Sequence, residues 1–294
     1  MKHPCHPPHP LAWGLAACTL ATAAQAQSLD YSLTGASGDY VSQQVTLGLR
    51  PASDWSLQAS LGSGRSGARE TDTQQTLQLQ WQVQPAWSMT LGADQAQDEL
   101  LRTQGSRLEV ELALDALAQW EHSASLGLAW RRGYNGLRDS SVAAAHVVPD
   151  QDDWALHWSQ DLGAGWGWSW ETSVSRYSSD PVALARALLA RRVPRVGVAM
   201  GLTSFSERSH TLGVRWQAGG SLQWQALASY GLTVIGQTQR VLEWGLSLPL
   251  GKQALGGIRL GHTRSDAVLR ANGTELLPAQ SSNSLTFAYT LQWE

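Results

Sequence analysis

The sequence predicts an all-β protein, an antiparallel up-and-down β-barrel that crosses a membrane with its strands. Apolar and polar residues alternate in segments of ten or more residues along most of the chain. The connections between these segments alternate between short and long, and Trp is concentrated where segments begin or end. A tilted strand needs about 9–11 residues to cross a bilayer, so the segment length fits a transmembrane strand.

Composition separates this chain from ordinary soluble domains. Charged residues make up 15% of the 294 residues, against roughly 25% in a typical soluble domain. There are 15 Trp but only 2 Phe, and the net charge is −3. No apolar run long enough for a transmembrane helix follows the N-terminal leader. No basic tract suggests nucleic-acid binding.

Residues 1–26 have the features of a secretory signal peptide. Lys2 precedes an apolar run, and the small-residue site 24–26 follows it. We expect cleavage before Gln27, which leaves 27–294 as a single barrel domain. A lipoprotein signal ending at Cys18 is the alternative. Both cysteines, Cys5 and Cys18, lie in this leader, so the mature chain contains no disulfide.

Fourteen segments alternate as strands with one apolar and one polar face do. Trp55, Leu57 and Ala59, for example, alternate with Ser56, Gln58 and Ser60. Segments 141–148 and 196–202 also resemble strands, so barrels of 12 or 16 strands remain alternatives. The predicted strands are 29–37, 41–50, 54–63, 73–84, 86–95, 105–114, 118–132, 151–161, 166–177, 208–217, 221–232, 240–249, 254–264 and 284–293.

Connection length predicts how the barrel lies in the membrane. The short connections alternate with longer ones such as 133–150, 178–207 and 265–283. Outer-membrane barrels have short periplasmic turns and longer extracellular loops. An even strand number returns the chain to the side where it began, so we expect both termini in the periplasm.

The tryptophans predict an aromatic girdle. Trp favours the membrane–water interface because its ring is apolar and its N–H needs a partner. Trp130, Trp154 and Tyr230 fall at the extracellular strand ends. The periplasmic girdle consists of Trp55, Trp81, Trp87, Trp120, Trp166, Trp168, Trp216, Trp224 and Trp293.

The last segment carries a resemblance to a known class. Leu285, Phe287, Tyr289, Leu291 and Trp293 alternate with small or polar residues, and Glu294 ends the chain. The segment resembles the C-terminal targeting strand of Gram-negative outer-membrane proteins, which usually ends in an aromatic residue, and Glu294 departs from that pattern. The resemblance implies insertion by the barrel-assembly machinery and contact with outer-membrane lipid and lipopolysaccharide. In size and strand number the chain is similar to small monomeric 14-stranded porins, and more loosely to barrels of surface-polysaccharide systems.

The polar face of each strand predicts the lining of the lumen. A 14-stranded barrel has a backbone radius of about 14 Å, which side chains cannot fill. We therefore expect a water-filled channel for small polar solutes, with charged residues that select solutes or brace the wall, as Arg107 with Glu121 would. The predicted lumen-lining residues are Arg107, Glu109, Glu111, Glu121, Arg131, His157, Glu171, Arg215, Glu243 and Arg259.

Segment 181–192 breaks the strand pattern. Pro181 and the apolar and basic residues after it predict a short helix that ends before Pro194. This helix could fold into the barrel mouth as a gate, or cap the barrel and contact lipopolysaccharide phosphates.

Two other functions stay open. The barrel could be the outlet or a structural component of a polysaccharide export system. It could also be an outer-membrane hydrolase, since His210 and His262 each have Ser and acidic neighbours in sequence. The sequence has no Cys/His metal spacing and no catalytic or cofactor motif, so no catalytic, cofactor-binding or metal residue is predicted. Solute identity and oligomeric state are not fixed by the sequence.

Overall fold

The fold is described from a computed structural model. The structure describes residues 26–66, 69–97, 101–137, 148–183, 205–218, 222–269, 273 and 275–293. The strands and the one short helix follow in chain order. They are β1 (Ala26–Ala36), β2 (Tyr40–Ala52), β3 (Trp55–Ser66), β4 (Arg69–Gln84), β5 (Trp87–Gln97), β6 (Leu101–Ala113), α1 (Leu114–Ala118), β7 (Ala124–Leu137), β8 (Gln151–Gly163), β9 (Trp166–Tyr177), β10 (Ser206–Ala218), β11 (Leu222–Thr233), β12 (Thr238–Pro249), β13 (Ala254–Ser265), β14 (Val268–Leu269), β15 (Glu275–Leu277) and β16 (Gln280–Gln292).

Fourteen of these strands form one closed antiparallel barrel, and β14 pairs with β15 in a separate small ladder. The ring closes where β1 pairs with β16, from Ser28 opposite Gln292 to Ala36 opposite Ser284. On its other side β16 pairs with β13. The prediction of a 14-stranded barrel is confirmed. Of the segments that raised the alternative of more strands, 196–202 lies outside the described residues, and so does 141–148 except for Val148.

The two ends of the barrel differ. At the terminal end, where β1 begins and β16 ends, strands are joined by turns such as 53–54, 85–86 and 164–165. The opposite end, the loop end, carries the long connection 266–279 as well as two short turns, 37–39 and 234–237.

The connection between β6 and β7 differs from the prediction. Residues 114–118 form helix α1, and Gln119 ends it in the left-handed region at φ 55°. Strand β7 therefore begins at Ala124 rather than at 118. Leu and Ala favour helix, and the Asp115 carboxylate accepts a hydrogen bond from the Ala124 N–H at 3.3 Å, which fixes the turn. Trp120 and Glu121 thus lie in a turn and not on a strand.

Large apolar side chains cover the outside of the barrel. Leu128, Leu212, Leu242 and Phe287 are each at least half exposed, at 52%, 50%, 59% and 51%. Contiguous apolar surface of this kind marks contact with another apolar phase. A closed sheet satisfies every backbone hydrogen bond internally, which is the condition for strands to cross a bilayer. The alternation therefore places apolar side chains toward lipid and polar ones toward the lumen.

No helix within the described ranges is both long and apolar enough to cross a membrane.

Candidate functional site

The inner wall of the barrel is polar, and its charged residues are concentrated on β5 to β9. On β6 the apolar Leu108 and Leu112 point outward, with 37% and 36% of their surface exposed. Arg107, Glu109 and Glu111 occupy the alternate positions and therefore face the lumen. The same alternation turns inward the predicted residues Arg131, His157, Glu171, Arg215, Glu243 and Arg259. Glu121 instead lies on the turn after α1. Contact between the predicted lumen-lining residues and solutes stays a prediction.

Arg131 joins two carboxylates from different strands. Its Nη2 lies 2.6 Å from Asp94 Oδ2 and its Nε donates to Asp94 Oδ1 at 2.9 Å, which is a bidentate pair. Its Nη1 lies 3.2 Å from Asp153 Oδ2. Ser175 and Gln151 each donate to the other Asp153 oxygen at 2.6 Å. The guanidinium is thus held by β5 on one side and β8 on the other.

His157 lies among three carboxylates. Its Nδ1 is 3.5 Å from Glu109 Oε1 and its Nε2 is 3.9 Å from Glu111 Oε1. Glu171 is its direct partner across the β8–β9 ladder. Arg107 Nη2 lies 2.6 Å from Glu109 Oε2. The predicted brace between Arg107 and Glu121 is therefore wrong, because Arg107 pairs with a carboxylate on its own strand.

Glycines lie beneath these charged side chains. A Cβ at Gly105 on β6 would be 2.6 Å from Asp94 Oδ1 and 2.8 Å from Arg131 Nε. A Cβ at Gly127 on β7 would overlap the imidazole of His157. The missing side chain lets each charged group lie across a neighbouring strand instead of projecting toward the barrel axis. These charged groups therefore lie close to the wall.

A cavity of about 600 Å³ opens at the terminal end of the lumen. Arg215 pairs with Asp161 on its wall, and these two residues come from β10 and β8. Gly167 on β9 lies between them, since a Cβ there would be 2.6 Å from Arg215 Nε. Glu121 also lines this cavity. The structure thus places Glu121 at the rim, on the same cavity as Arg215, while its predicted partner Arg107 pairs with Glu109.

The rest of the wall is lined by hydroxyl and amide groups. Hydroxyls pair across adjacent strands at Thr34 and Thr286, 2.8 Å apart, and at Thr46 and Ser60, also 2.8 Å apart. Gln78 and Gln80 face inward on β4, and the amides of Gln223 and Gln225 line the terminal cavity. Such groups can exchange hydrogen bonds with water or with an uncharged polar solute.

Carboxylates outnumber arginines on the lumen side of the described barrel strands. Where the alternation is unbroken and the side chain is described, it turns nine carboxylates and five arginines inward, an excess of four carboxylates. The carboxylates are Asp30, Asp72, Asp94, Glu109, Glu111, Asp153, Asp161, Glu171 and Glu243. The arginines are Arg50, Arg107, Arg131, Arg215 and Arg259.

Most Trp residues point outward and cluster at the terminal end. Trp55 stacks on Trp81 with 5.3 Å between ring centroids, and Trp166 lies 6.0 Å from Trp216. Trp87, Trp168, Trp224 and Trp293 lie at the same end, and Trp120 lies in the turn after α1. Trp130 and Trp154 form a pair 6.3 Å apart on β7 and β8. Their position at a membrane interface stays a prediction.

The two candidate hydrolase histidines have other partners. His210 Nδ1 lies 2.9 Å from the Thr172 hydroxyl, and His262 Nδ1 lies 2.7 Å from Asn283 Oδ1. Ser209, next to His210, faces the lumen and bonds Ser173 at 2.7 Å. Neighbours in sequence thus lie on opposite faces of the wall. The part of the chain that the structure describes contains no cluster of three or more His, Cys, Asp or Glu suited to a metal ion.

The predicted helix at 181–192 is described only over 181–183, which are helical. The remainder of that segment, including its arginines, lies outside the described residues.

Solved structures show where this fold is known, whereas no family model and no curated protein matches the sequence. The Pseudomonas putida toluene transporter TodX aligns with a TM-score of 0.58 and 10% identity, over 94% of this chain and 92% of that chain. The CymD monoaromatic hydrocarbon channel aligns with a TM-score of 0.55 and 10% identity, over 96% and 92%. The NanC porin aligns with a TM-score of 0.47 and 12% identity, over 90% and 100%. The chain therefore has the fold of the porin-like outer-membrane barrels.

Proposed function

We propose that this protein is a passive, water-filled outer-membrane channel for small polar solutes. The observation that carries the proposal is the polar inner wall, where the charged side chains of Arg131, His157 and Arg215 lie across glycines toward carboxylates of other strands. A wall of this kind binds water, because its charged and polar side chains face the space that the described strands enclose. The lumen can therefore conduct solutes without a conformational cycle.

The lining favours polar solutes over hydrocarbons. TodX and CymD are named for toluene and monoaromatic hydrocarbons. In this chain most inward positions carry carboxylates, arginines, glutamines, hydroxyls or glycine, whereas most of the large apolar side chains point outward. An apolar solute would gain little from such a wall, and it would displace water from groups that need hydrogen bonds.

Planar-bilayer recording of the full-length purified protein tests the proposal. We expect stepwise currents in potassium chloride, and smaller steps when a polymer small enough to enter the lumen is added. Sugars and zwitterionic amino acids should permeate in a liposome-swelling assay. A folded barrel that gives neither current nor swelling would overturn the proposal.

We infer that both termini face the periplasm and that the loop end faces the cell exterior. The long connection 266–279 lies at the loop end and supports this orientation. The only cysteines of the sequence lie in the leader, so single cysteines can report topology. Asp39→Cys should react with an impermeant maleimide on intact cells, and Ser53→Cys should react only after the outer membrane is opened. The reverse labelling pattern would contradict the orientation.

We also propose that β16 is the strand engaged by the barrel-assembly machinery. Leu285, Phe287 and Tyr289 present an apolar outward face at 38%, 51% and 42% exposure. Phe287→Asp should reduce the amount of folded barrel in the outer membrane. Thr286→Asp, which changes the lumen face of the same strand, is the matched control.

A further inference from the structure

Arginines surround the outside of the barrel near its loop end. Each lies within a few residues of the loop end of its strand, on the face that also carries the exposed apolar residues. At the terminal end of the described strands, the outward positions hold apolar, aromatic and amide residues but no charged one. We name this set the arginine belt: Arg65, Arg102, Arg132, Arg176, Arg208, Arg240 and Arg264.

The belt is densest on β10 to β13. Arg240 and Arg264 are direct partners across the β12–β13 ladder. Arg240 is also the partner of Tyr230, and Tyr230 is the partner of His210. Side chains at such positions have Cβ atoms about 4.5–5.5 Å apart, and like charges directly opposite each other are unfavourable. A pair of arginines at this position therefore favours an anion between or above them.

The protein itself supplies only part of the required negative charge. Asp266 Oδ2 lies 3.5 Å from Arg240 Nη2, and the two side chains are 41% and 59% exposed. Arg208 and Arg264 are exposed as well. Among the described ion pairs on this face of β10 to β13, Asp266 is the one carboxylate beside several guanidinium groups, which leaves this surface positive. Arg132, in contrast, is paired with Asp152 at 2.8 Å and contributes less.

An exposed apolar surface begins next to these arginines, on the side away from the loop end. Leu242 follows Arg240 on the outward face of β12 and is 59% exposed. Leu260 and Trp244, one step farther from the loop end, are 48% and 40% exposed. A ligand at this place meets guanidinium groups on one side and a lipid-facing apolar wall on the other. Soluble anions could use only the first of these surfaces.

We propose that the arginine belt, centred on Arg240 and Arg264, binds the phosphate groups of a phosphorylated membrane lipid whose acyl chains lie along Leu242, Trp244 and Leu260. Guanidinium groups bind phosphate through two parallel N–H bonds, so arginine suits this ligand better than lysine does. The ligand belongs to the chemical class of the lipopolysaccharide lipid anchor. The site is independent of conduction, because it lies on the opposite face of the wall from the lumen.

The test measures lipid binding to the full-length protein in dodecyl maltoside micelles. Bisphosphorylated lipid A is titrated, and bound lipid per barrel is counted by native mass spectrometry. The double variant Arg240→Gln/Arg264→Gln should bind roughly 30-fold more weakly, since each arginine near a charged lipid surface contributes about fivefold. The matched control is Arg215→Gln/Arg259→Gln, which removes the same charge from the lumen face and should bind as the wild type does. Heat-modifiable gel mobility shows that each variant is folded.

Three further arms make the result decisive. Dephosphorylated lipid A should bind weakly to wild type and variant alike, and equal binding of both lipids would overturn the proposal. Millimolar inorganic phosphate should not displace the lipid, and displacement would assign the site to a free anion instead. Equal loss in the lumen-face control would also overturn it. If the Gln pair fails to fold, Arg240→Lys/Arg264→Lys keeps the charge without the fork and should bind several-fold more weakly, whereas unchanged binding contradicts the proposal.

Discussion

Arg131 and Asp94 form an ion pair at 2.6 Å although strand β6 lies between their own strands. The contact passes over Gly105, where a side chain would occupy the same space. Arg215 and Asp161 repeat the arrangement over Gly167. Hydrogen bonds of the sheet join each strand to its immediate neighbours, and these ion pairs add links between second neighbours. Second-neighbour links resist shearing of the wall.

Gly127→Ala should disturb both stability and conduction. The new methyl group would overlap the His157 ring, which must then swing toward the axis and away from Glu109. Overpacking of this kind costs about 1–3 kcal/mol. We expect a lower urea midpoint and a smaller single-channel conductance. Gly136→Ala, on the same strand with open space around its Cβ position, is the control and should match the wild type.

Arg131→Met should destabilise the barrel more than Arg215→Met. The Arg131 side chain is only 24% exposed and serves two carboxylates, which the change would leave without their cation. The Arg215 side chain is 64% exposed and has one ion-pair partner, so solvent screens its pair. We expect a loss of about 1.5–3 kcal/mol for Arg131→Met and at most about 1 kcal/mol for Arg215→Met in equilibrium urea unfolding. Equal losses would contradict the structural difference between the two pairs.

The excess of lumen carboxylates predicts selectivity for cations. Under a potassium chloride gradient, the reversal potential should have the sign of potassium permeation. Glu171→Gln removes one exposed lumen carboxylate and should move the reversal potential toward zero. Glu275→Gln removes an exposed carboxylate from β15, outside the barrel wall, and should leave it unchanged. A chloride-selective wild type would refute this prediction while leaving the channel itself established.

Asp266 should make the loop end sensitive to acid. The hydrogen bond from the Thr238 hydroxyl, with the charges of Arg240 and Arg264, lowers the pKa of Asp266 from its usual 3.8. Because the folded pKa lies below the unfolded one, the stabilisation is complete above about pH 4 and disappears as the pH falls through the lowered pKa. Amide exchange at residue 266, whose N–H donates to the Thr238 carbonyl, measures the effect. Wild type should be better protected than Asp266→Asn at pH 6 and equally protected in strong acid.

Asp266→Asn should also tighten the binding of lipid A. The carboxylate competes with a lipid phosphate for Arg240, from which it lies 3.5 Å. Its removal leaves the arginine pair without a local anion, so lipid A should bind several-fold more tightly in the same mass-spectrometric titration. Glu275→Gln serves again as the control. Weaker binding by Asp266→Asn would show that Asp266 positions the site instead of opposing the ligand.

The alternation of apolar and polar residues predicts nearly all strands of the barrel. Alternation is a local property, since each strand has one face toward lipid and one toward water. Strands such as 166–177 were predicted at the bounds that the structure gives. The prediction was wrong at 118–123, because Leu114–Ala118 form a helix and the chain turns before β7 begins at Ala124. A short apolar stretch with Leu, Ala and one Asp satisfies both helix and strand patterns, and only the turn contact of Asp115 with Ala124 decides between them.

The contacts within the wall could not be predicted in the same way. The alternation of each strand turns Arg107, Glu109 and His157 inward, but it does not tell which of the inward side chains pair with each other. Arg107 pairs with Glu109, two residues away, and not with Glu121. The one local signal for these contacts is a glycine at a lumen-facing position, such as Gly105 or Gly127. Such a glycine indicates that a side chain from a neighbouring strand lies across it. The alternation of each strand also turns the arginines of the arginine belt outward, near one end of their strands.

Because β1 pairs with β16, the strands follow one another around the barrel as a closed ring. The Trp293 N–H donates to the Gln27 carbonyl at 3.1 Å, so the first and last described strands end side by side. A short peptide could join them there without crossing the membrane. The turn 250–253, at the same end, could then be opened to provide new termini. A circular permutant of this kind would preserve every ladder of the wall, so the barrel's shape is fixed by which strands are neighbours and not by which strand comes first.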